Sequence, residues 1–468
     1  MTKSRKLLSV LLYALPVAFF IVCYFLIVTS GEDIFQGANS APNILGDALS
    51  AFNHSARLAD MFAWSVINFF DYTFSFGVDT VFRLLDVLAA FSIFFMATYC
   101  VLRRRPRLRL LDSAVFCGLF LFTMLTSNGP TIYSGFSKIH NYLFISFFSL
   151  LFAIPILRRL WGRPFLIKKA FPRNLVMFIL AFLFGLSSNV SGIVFLLTLP
   201  VYALFLKLRH HPLHIKDFLK NYGLSSIIGV LLSLFLIYVI GPGLAGYEAS
   251  PAYLAVCDYL PLGEIFTNLG GSLVRILKHL AYNFGKFFLP FAVAAIPVAI
   301  SLRASFKRKL KLSTLFSAPE RRFLIASFIF IVLHILALTQ ILYPTRLLFP
   351  LHLFASALFL FIAKRFSYDN RKSLPRSRLS LAIVLTMLIL SSSLLFTRTY
   401  LAIGYLNQVK PALEEIKSSS ETSLCVPASV YVSKNLPYLH LGQEDFLVDW
   451  ALPETIYGKS VTFCENML

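Results

Sequence analysis

The sequence predicts an all-α polytopic membrane protein of about eleven transmembrane helices, with interfacial helices on its outer side. A small C-terminal extracytoplasmic cap of α/β or irregular structure completes the expected fold. Three observations carry this. Of 468 residues, 57% are hydrophobic and only 14% charged, with a mean hydropathy of +0.75, whereas a soluble domain has about 25% charged residues. The apolar residues gather in runs near the roughly 20 residues that cross a bilayer core. The basic residues gather in short clusters at alternate connections between those runs.

The runs lie near 7–29, 80–102, 110–127, 141–157, 174–188, 192–207, 222–241, 281–302, 323–343, 346–363 and 379–398. The stretch 174–207 also reads as one long pair around a tight turn. The first run is read as a retained helix, because it is long and no small-residue cleavage site follows it. Lys3 to Lys6 precede it; Arg103 to Arg107, Arg158 to Arg173, Lys207 to Lys220, Arg303 to Arg322 and Lys364 to Arg378 follow the second, fourth, sixth, eighth and tenth runs. Short basic loops stay on the cytoplasmic side, so the N-terminus is expected inside and the C-terminal segment outside. The net charge of +21 and pI near 9.8 would suggest nucleic acid in a soluble chain. Here topology accounts for them, and the expected surroundings are membrane lipids, with no nucleic-acid partner.

The outer connections differ in character. Residues 30–79 carry Glu32, Asp33, Asp47, Asp60, Asp71 and Asp79 against Arg57 alone, and the loop 128–140 includes Tyr133, Lys138 and His140. Ser187 to Gly192 form a short turn around Asn189, and Tyr343-Pro344-Thr345-Arg346 sits between two late runs. Residues 47–79 and 251–279 mix apolar and polar residues at helical spacing, the pattern of helices lying in the interface. Ordinary linkers give the same composition.

From residue 399 the chain changes character. Short apolar stretches such as Leu424 to Pro427 and Ser429 to Val432 suggest a strand or two in a segment of about 70 residues, which is marginal as an independent domain. The expected division is therefore 1–398 for the transmembrane domain and 399–468 for the cap. Cys425 and Cys464 both fall in that cap, where an oxidising outer face would let them pair. Cys23, Cys100, Cys117 and Cys257 have no metal-ligand spacing. No Walker loop, dinucleotide fingerprint, zinc motif or nucleophile elbow is present.

Chemistry is therefore expected outside, and first at Glu32-Asp33. Two adjacent carboxylates at the mouth of a membrane helix are costly unless they face water or a partner. The plain alternative is that they stop the first helix at the interface. About twenty residues later comes Asn53-His54-Ser55-Ala56-Arg57.

An acidic pair after the first helix, an Asn-x-x-x-Arg element some twenty residues on, the turn Gly185 to Gly192, and Arg346 at the outer end of a late helix together resemble the GT-C superfamily of membrane glycosyltransferases. Within it the chain looks like a bacterial branch similar to the O-antigen glucosyltransferases. The likeness covers roughly the first 365 residues and rests on short motifs. The chain departs from the pattern in carrying Glu32-Asp33 where relatives often have two aspartates, and in lacking an acid in the turn at 187–192.

The resemblance implies inverting transfer of a sugar from a polyprenyl-phosphate donor to a cell-surface glycan or lipid-linked acceptor, at the bacterial inner membrane. Asp33 is the candidate base, with Glu32 as the alternate; such a base deprotonates the acceptor hydroxyl. Arg57 and Arg346 are candidate phosphate clamps, because a guanidinium binds phosphate bidentately. Asn53, His54, Lys138, His140, Asn189 and Tyr343 are secondary candidates for substrate binding. Each has a plainer role open to it: a salt bridge to Asp60 or Asp33 for Arg57, snorkelling for Arg346, an interfacial position for His54 and His140, an aromatic belt for Tyr343. No cofactor is expected to be essential; a divalent metal is possible, although two adjacent carboxylates make a poor cage alone. The competing class is a transporter, flippase or polysaccharide polymerase for lipid-linked glycans.

Overall fold

The computed structural model describes residues 3–25, 77–126, 136–161, 163–164, 166–208, 223–241, 267–306, 316–337, 349–369, 378–404, 418–427, 455–456 and 459–464, with single positions at 49, 52, 260, 264, 407, 411 and 415. Among these, eleven helices dominate. They are α1 (Lys3–Phe25), α2 (Gly77–Leu102), α3 (Leu110–Thr126), α4 (Phe136–Leu160), α5 (Ala170–Ser187) and α6 (Asn189–Leu208). Then follow α7 (Leu224–Phe235, continuing as a π turn through Leu236–Ile240), α8 (Leu269–Phe306), α9 (Ala318–Ala337), α10 (Phe349–Asp369) and α11 (Arg378–Gly404). Each overlaps one of the apolar runs. The segments Lys3–Tyr24, Ala170–Ser187, Val190–Leu208 and Ala382–Tyr400 are long and apolar enough to cross a membrane, and five further apolar helices are shorter.

α3 is the hub, packing against α1, α2, α8, α10 and α11. α1 packs against α2, α3 and α11, and its Phe19 and Phe20 lie in a ladder of rings. Phe20 stacks on Phe94 of α2 with centroids 5.7 Å apart, and Phe120 of α3 meets Phe19 at 5.3 Å and Phe94 at 5.9 Å. In lipid, helices gain little from the hydrophobic effect, so association rests on close packing. Aromatic edge and face contacts supply it here. A second cluster joins α4, α5 and α7 through Phe152, Met177, Phe184 and Val230, and a third joins α8, α9 and α10 through Phe287, Ile335 and Leu351.

α5 and α7 pack through small residues. A Cβ added at Gly229 would lie 2.5 Å from Phe178 O, 3.0 Å from Ala181 Cβ and 3.1 Å from Phe182 N; one added at Gly185 would overlap the Ser233 hydroxyl. Ser226 and Ser233 are buried on the same face of α7 as Gly229. This spacing lets two backbones approach without side chains between them.

The basic end of the bundle is tied down. α2 stops at Arg103, whose φ is 59° and whose N–H still donates to Tyr99 O at 2.7 Å. The left-handed conformation costs a non-glycine residue about 1 kcal/mol. The Arg103 side chain offsets this by pairing with Glu320 of α9 and covering the rings of Trp161 and Phe361, at 5.4 and 4.8 Å. Next to it, Arg104 donates to both Asp112 carboxylate oxygens, at 2.7 and 2.6 Å, and Arg107 N donates to Asp112 at 2.8 Å. Those bonds raise the Arg104 pKa above its usual value.

Three expectations need correction. The described part of 251–279 is mostly the start of α8, a continuous helix of 38 residues, which runs on through Pro290 and Pro297 although interior prolines disfavour a helix. α11 runs to Gly404, past the expected boundary at 398, since the Thr399 hydroxyl donates back to Leu395 O and Leu401, Ala402 and Ile403 are apolar. The C-terminal segment forms a three-stranded sheet in the order β1-β3-β2, with β1 (Ser423–Pro427) parallel to β3 (Lys459–Cys464) and β2 (Thr455–Ile456) antiparallel to it. In that register Cys425 lies opposite Thr462, and Cys464 lies opposite Pro427. Strand spacing and rise then put the Cα atoms of Cys425 and Cys464 about 8 Å apart, beyond the roughly 7 Å a disulfide spans. The expected pairing does not fit this register.

Candidate functional site

Glu32, Asp33, Asn53, His54, Arg57, Tyr343 and Arg346 lie outside the described residues. Lys138 and His140 fall in the first turns of α4, and Asn189 is the first residue of α6. The sequence reading puts Lys138 and His140 in one outer loop and Asn189 in a separate turn on the same side. The register of α4 on α5 separates them. Phe152 stacks on Phe184 at 5.1 Å, and Phe184 lies three residues from the end of α5. α4 therefore outruns the α5–α6 turn by about thirteen residues, or about 20 Å of helix. Lys138 and His140 lie about nine to eleven residues of helix, or about 15 Å, farther along the bundle than the turn that holds Asn189. The cause is the single extended residue between α5 and α6: Ser188, at φ −153° and ψ 124°, reverses the chain at once. Its hydroxyl accepts from Ser191 N at 3.2 Å, an N-cap that starts α6.

What the described helices do assemble is a set of buried polar side chains at the end where α1 passes into residues 26–76. Arg398 of α11 is 3% exposed, Asp86 of α2 is 7%, and Tyr24 of α1 is 0%. Their level follows from contacts deeper in the bundle. Cys117 and Ser391 touch at 3.3 Å, which fixes α11 against α3, and Arg398 lies about two turns beyond Ser391. Tyr24 lies one turn beyond Phe20, and Asp86 about two turns beyond Phe94. Arg398 also hydrogen-bonds to Cys23.

On α8 and α10 the same end holds more polar groups. The His352 ring lies parallel to Phe287, 4.8 Å between centroids, with one ring nitrogen 3.2 Å from Phe287 O. Asn283 and His279, one and two turns along α8, are 0% exposed. Ionisable side chains inside membrane helices are costly and face partners or water-filled cavities. Arg398, Asp86, Tyr24, His352, Asn283 and His279 thus lie toward one end of the described bundle, the end best suited to hold a polar or anionic ligand. Among the described residues no group of three or more His, Cys, Asp or Glu converges as a metal cage.

Sequence reading missed Arg398. Its signal was present: it is the one basic residue within the run 379–398. Taken as the closing residue of that run, it looked like an end marker, whereas α11 continues six residues beyond it. The two ends of the bundle now differ sharply. One is basic and tied by the Arg103–Glu320 and Arg104–Asp112 pairs; the other buries polar groups at the level where α1 ends. No family model, no curated protein and no solved structure matches the chain.

Proposed function

We propose that the protein is a multi-pass membrane glycosyltransferase of the GT-C type, moving a sugar from a polyprenyl-phosphate donor to a cell-surface glycan or lipid-linked acceptor. In this reading all eleven helices cross the cell membrane, the N-terminus is cytoplasmic, and the C-terminal sheet is extracytoplasmic. The observation that carries the proposal is Glu32-Asp33, an acidic pair following α1 in a chain of net charge +21. Asp33 acts as base toward the acceptor hydroxyl, and Glu32 orients it or Arg57. Arg57 and Arg346 hold the donor phosphate, and Arg398 joins them as a third cation. The burial of Arg398 at the end of α1 supports this, because a guanidinium in a low-dielectric site stabilises the departing phosphate more strongly than one in water. No cofactor is essential in this scheme, and a divalent ion would act only as an added phosphate counter-charge.

Buried Asp86 and Arg398 within apolar helices also favour a second reading, a transporter or flippase for lipid-linked glycans, since such proteins place ionisable groups along their path. Transfer chemistry separates the two. Asp33→Asn keeps size and hydrogen bonding but removes the basic carboxylate, and it should lower transfer by about 10². The measurement is incorporation of radiolabelled sugar from polyprenyl phosphate in membranes, with expression and donor binding as controls. Full activity in both Asp33→Asn and Glu32→Gln would sink the transferase mechanism.

A further inference from the structure

α10 carries two polar side chains that the bundle encloses completely. His352 and Ser356 are both 0% exposed, and they stand one turn apart on the same face of the helix. Phe287 of α8 stacks on the His352 ring, and Phe359, next along that face, meets Phe122 of α3 at 5.6 Å. The two side chains therefore point into the seam where α3, α8 and α10 pack together.

Hydrogen bonding fixes the state of the ring. Nε2 lies 3.2 Å from Phe287 O, and a carbonyl can only accept, so Nε2 carries a proton. Among the described residues Nδ1 has no partner. A second proton there would put a cation and an unmet donor into apolar surroundings, which is costly. The neutral ring instead turns an acceptor lone pair into the seam. The Ser356 hydroxyl also has no partner among the described residues. It does not bond back to the carbonyl four residues earlier, as Ser9, Thr98 and Thr123 do in their helices. Side chains four residues apart on a helix have Cβ atoms about 5–6 Å apart, and one O–H group at about 2.8 Å from each atom spans such a gap. The lone pair repels an anion. For a cation, no group of three or more His, Cys, Asp or Glu converges among the described residues.

We propose that the seam of α3, α8 and α10 encloses one water molecule, which donates to His352 Nδ1 and accepts from Ser356 Oγ. Two bonds are within the range that holds a buried water. The water completes a chain from Ser356 through the imidazole to Phe287 O. That chain pins α8 to α10 and so sets where Asn283 and His279, farther along α8, stand against the bundle. The site does not depend on the proposed transfer chemistry. Solid-state NMR of the full-length protein in lipid vesicles, with 15N-labelled histidine, tests it. His352 should show a protonated Nε2, an unprotonated Nδ1 and magnetisation transfer from water to its ring. Its signals are those lost in His352→Phe, which keeps a ring against Phe287, and independently those most displaced in Ser356→Ala. In thermal unfolding the two substitutions remove the same water, so the double variant should lose less in melting temperature than the two single losses added. A protonated Nδ1, no transfer from water to the His352 ring, an Nδ1 resonance unmoved by Ser356→Ala, or strictly additive losses would overturn the proposal.

Discussion

Gly229→Ala isolates the close approach of α5 and α7. Alanine improves helix propensity by up to about 1 kcal/mol over glycine, so a helix with free space around the glycine should gain. At Gly229 the new methyl would stand 2.5 Å from Phe178 O and 3.0 Å from Ala181 Cβ, both part of α5 and neither able to rotate away. The helices must separate by several tenths of an ångström, which forfeits a quarter or more of each dispersion contact across the seam. Overpacking of this kind costs about 1–3 kcal/mol. The net expectation is a loss of about 1 kcal/mol for alanine and about 3 kcal/mol for valine. Gly285→Ala is the matched control: that glycine is exposed within α8 and has nothing within 4 Å of an added Cβ, so it should be neutral or stabilising. The assay is thermal unfolding of purified protein in one detergent, with size exclusion to confirm a single species. Gly229→Ala as well tolerated as Gly285→Ala would refute the reasoning, because the backbone contact would then not be limiting.

Three further outcomes are expected. Asp112→Asn removes the charge that Arg104 and Arg107 N share; with Arg104 partly exposed and able to regain water, the loss should be about 2 kcal/mol in the same unfolding assay. Arg398→Lys keeps the charge but loses the planar fork, so in the transfer assay it should raise KM for the lipid donor several-fold with little change in melting temperature; an unchanged KM would remove Arg398 from donor binding. Reporter fusions at Arg105 and Tyr400 should report opposite compartments, and the same compartment at both would sink the proposed topology.

The helices were legible because their cause is local. Each long run of apolar residues overlaps a helix, and the basic clusters at Arg103 and Arg158 fall at or near helix ends. What depends on distant neighbours was hidden. The composition around Ser188 suggested a turn but not its depth, which is set by Phe184 finding Phe152. Gly229 looked like any glycine in a helix until Phe178 appeared opposite. Arg103 gave no sign of its left-handed backbone, because the compensating Glu320, Trp161 and Phe361 are scattered across the sequence. Of the candidate site, Lys138, His140 and Asn189 are placed only as positions on helices, and the rest lies in the segments around 30–57 and 343–346. The buried Arg398 was readable in principle, as a charge inside an apolar run.

The α5–α6 turn carries polar groups at a depth where lipid would be costly. If Arg158 and Arg159 mark one face of a hydrocarbon layer about 30 Å thick, the capped turn at Ser187 to Ser191 stands near its middle. Ser187 and Ser191 are buried in the protein, and their hydroxyls bond to Phe184 O and Ser188 Oγ, so the turn meets protein rather than alkyl chains.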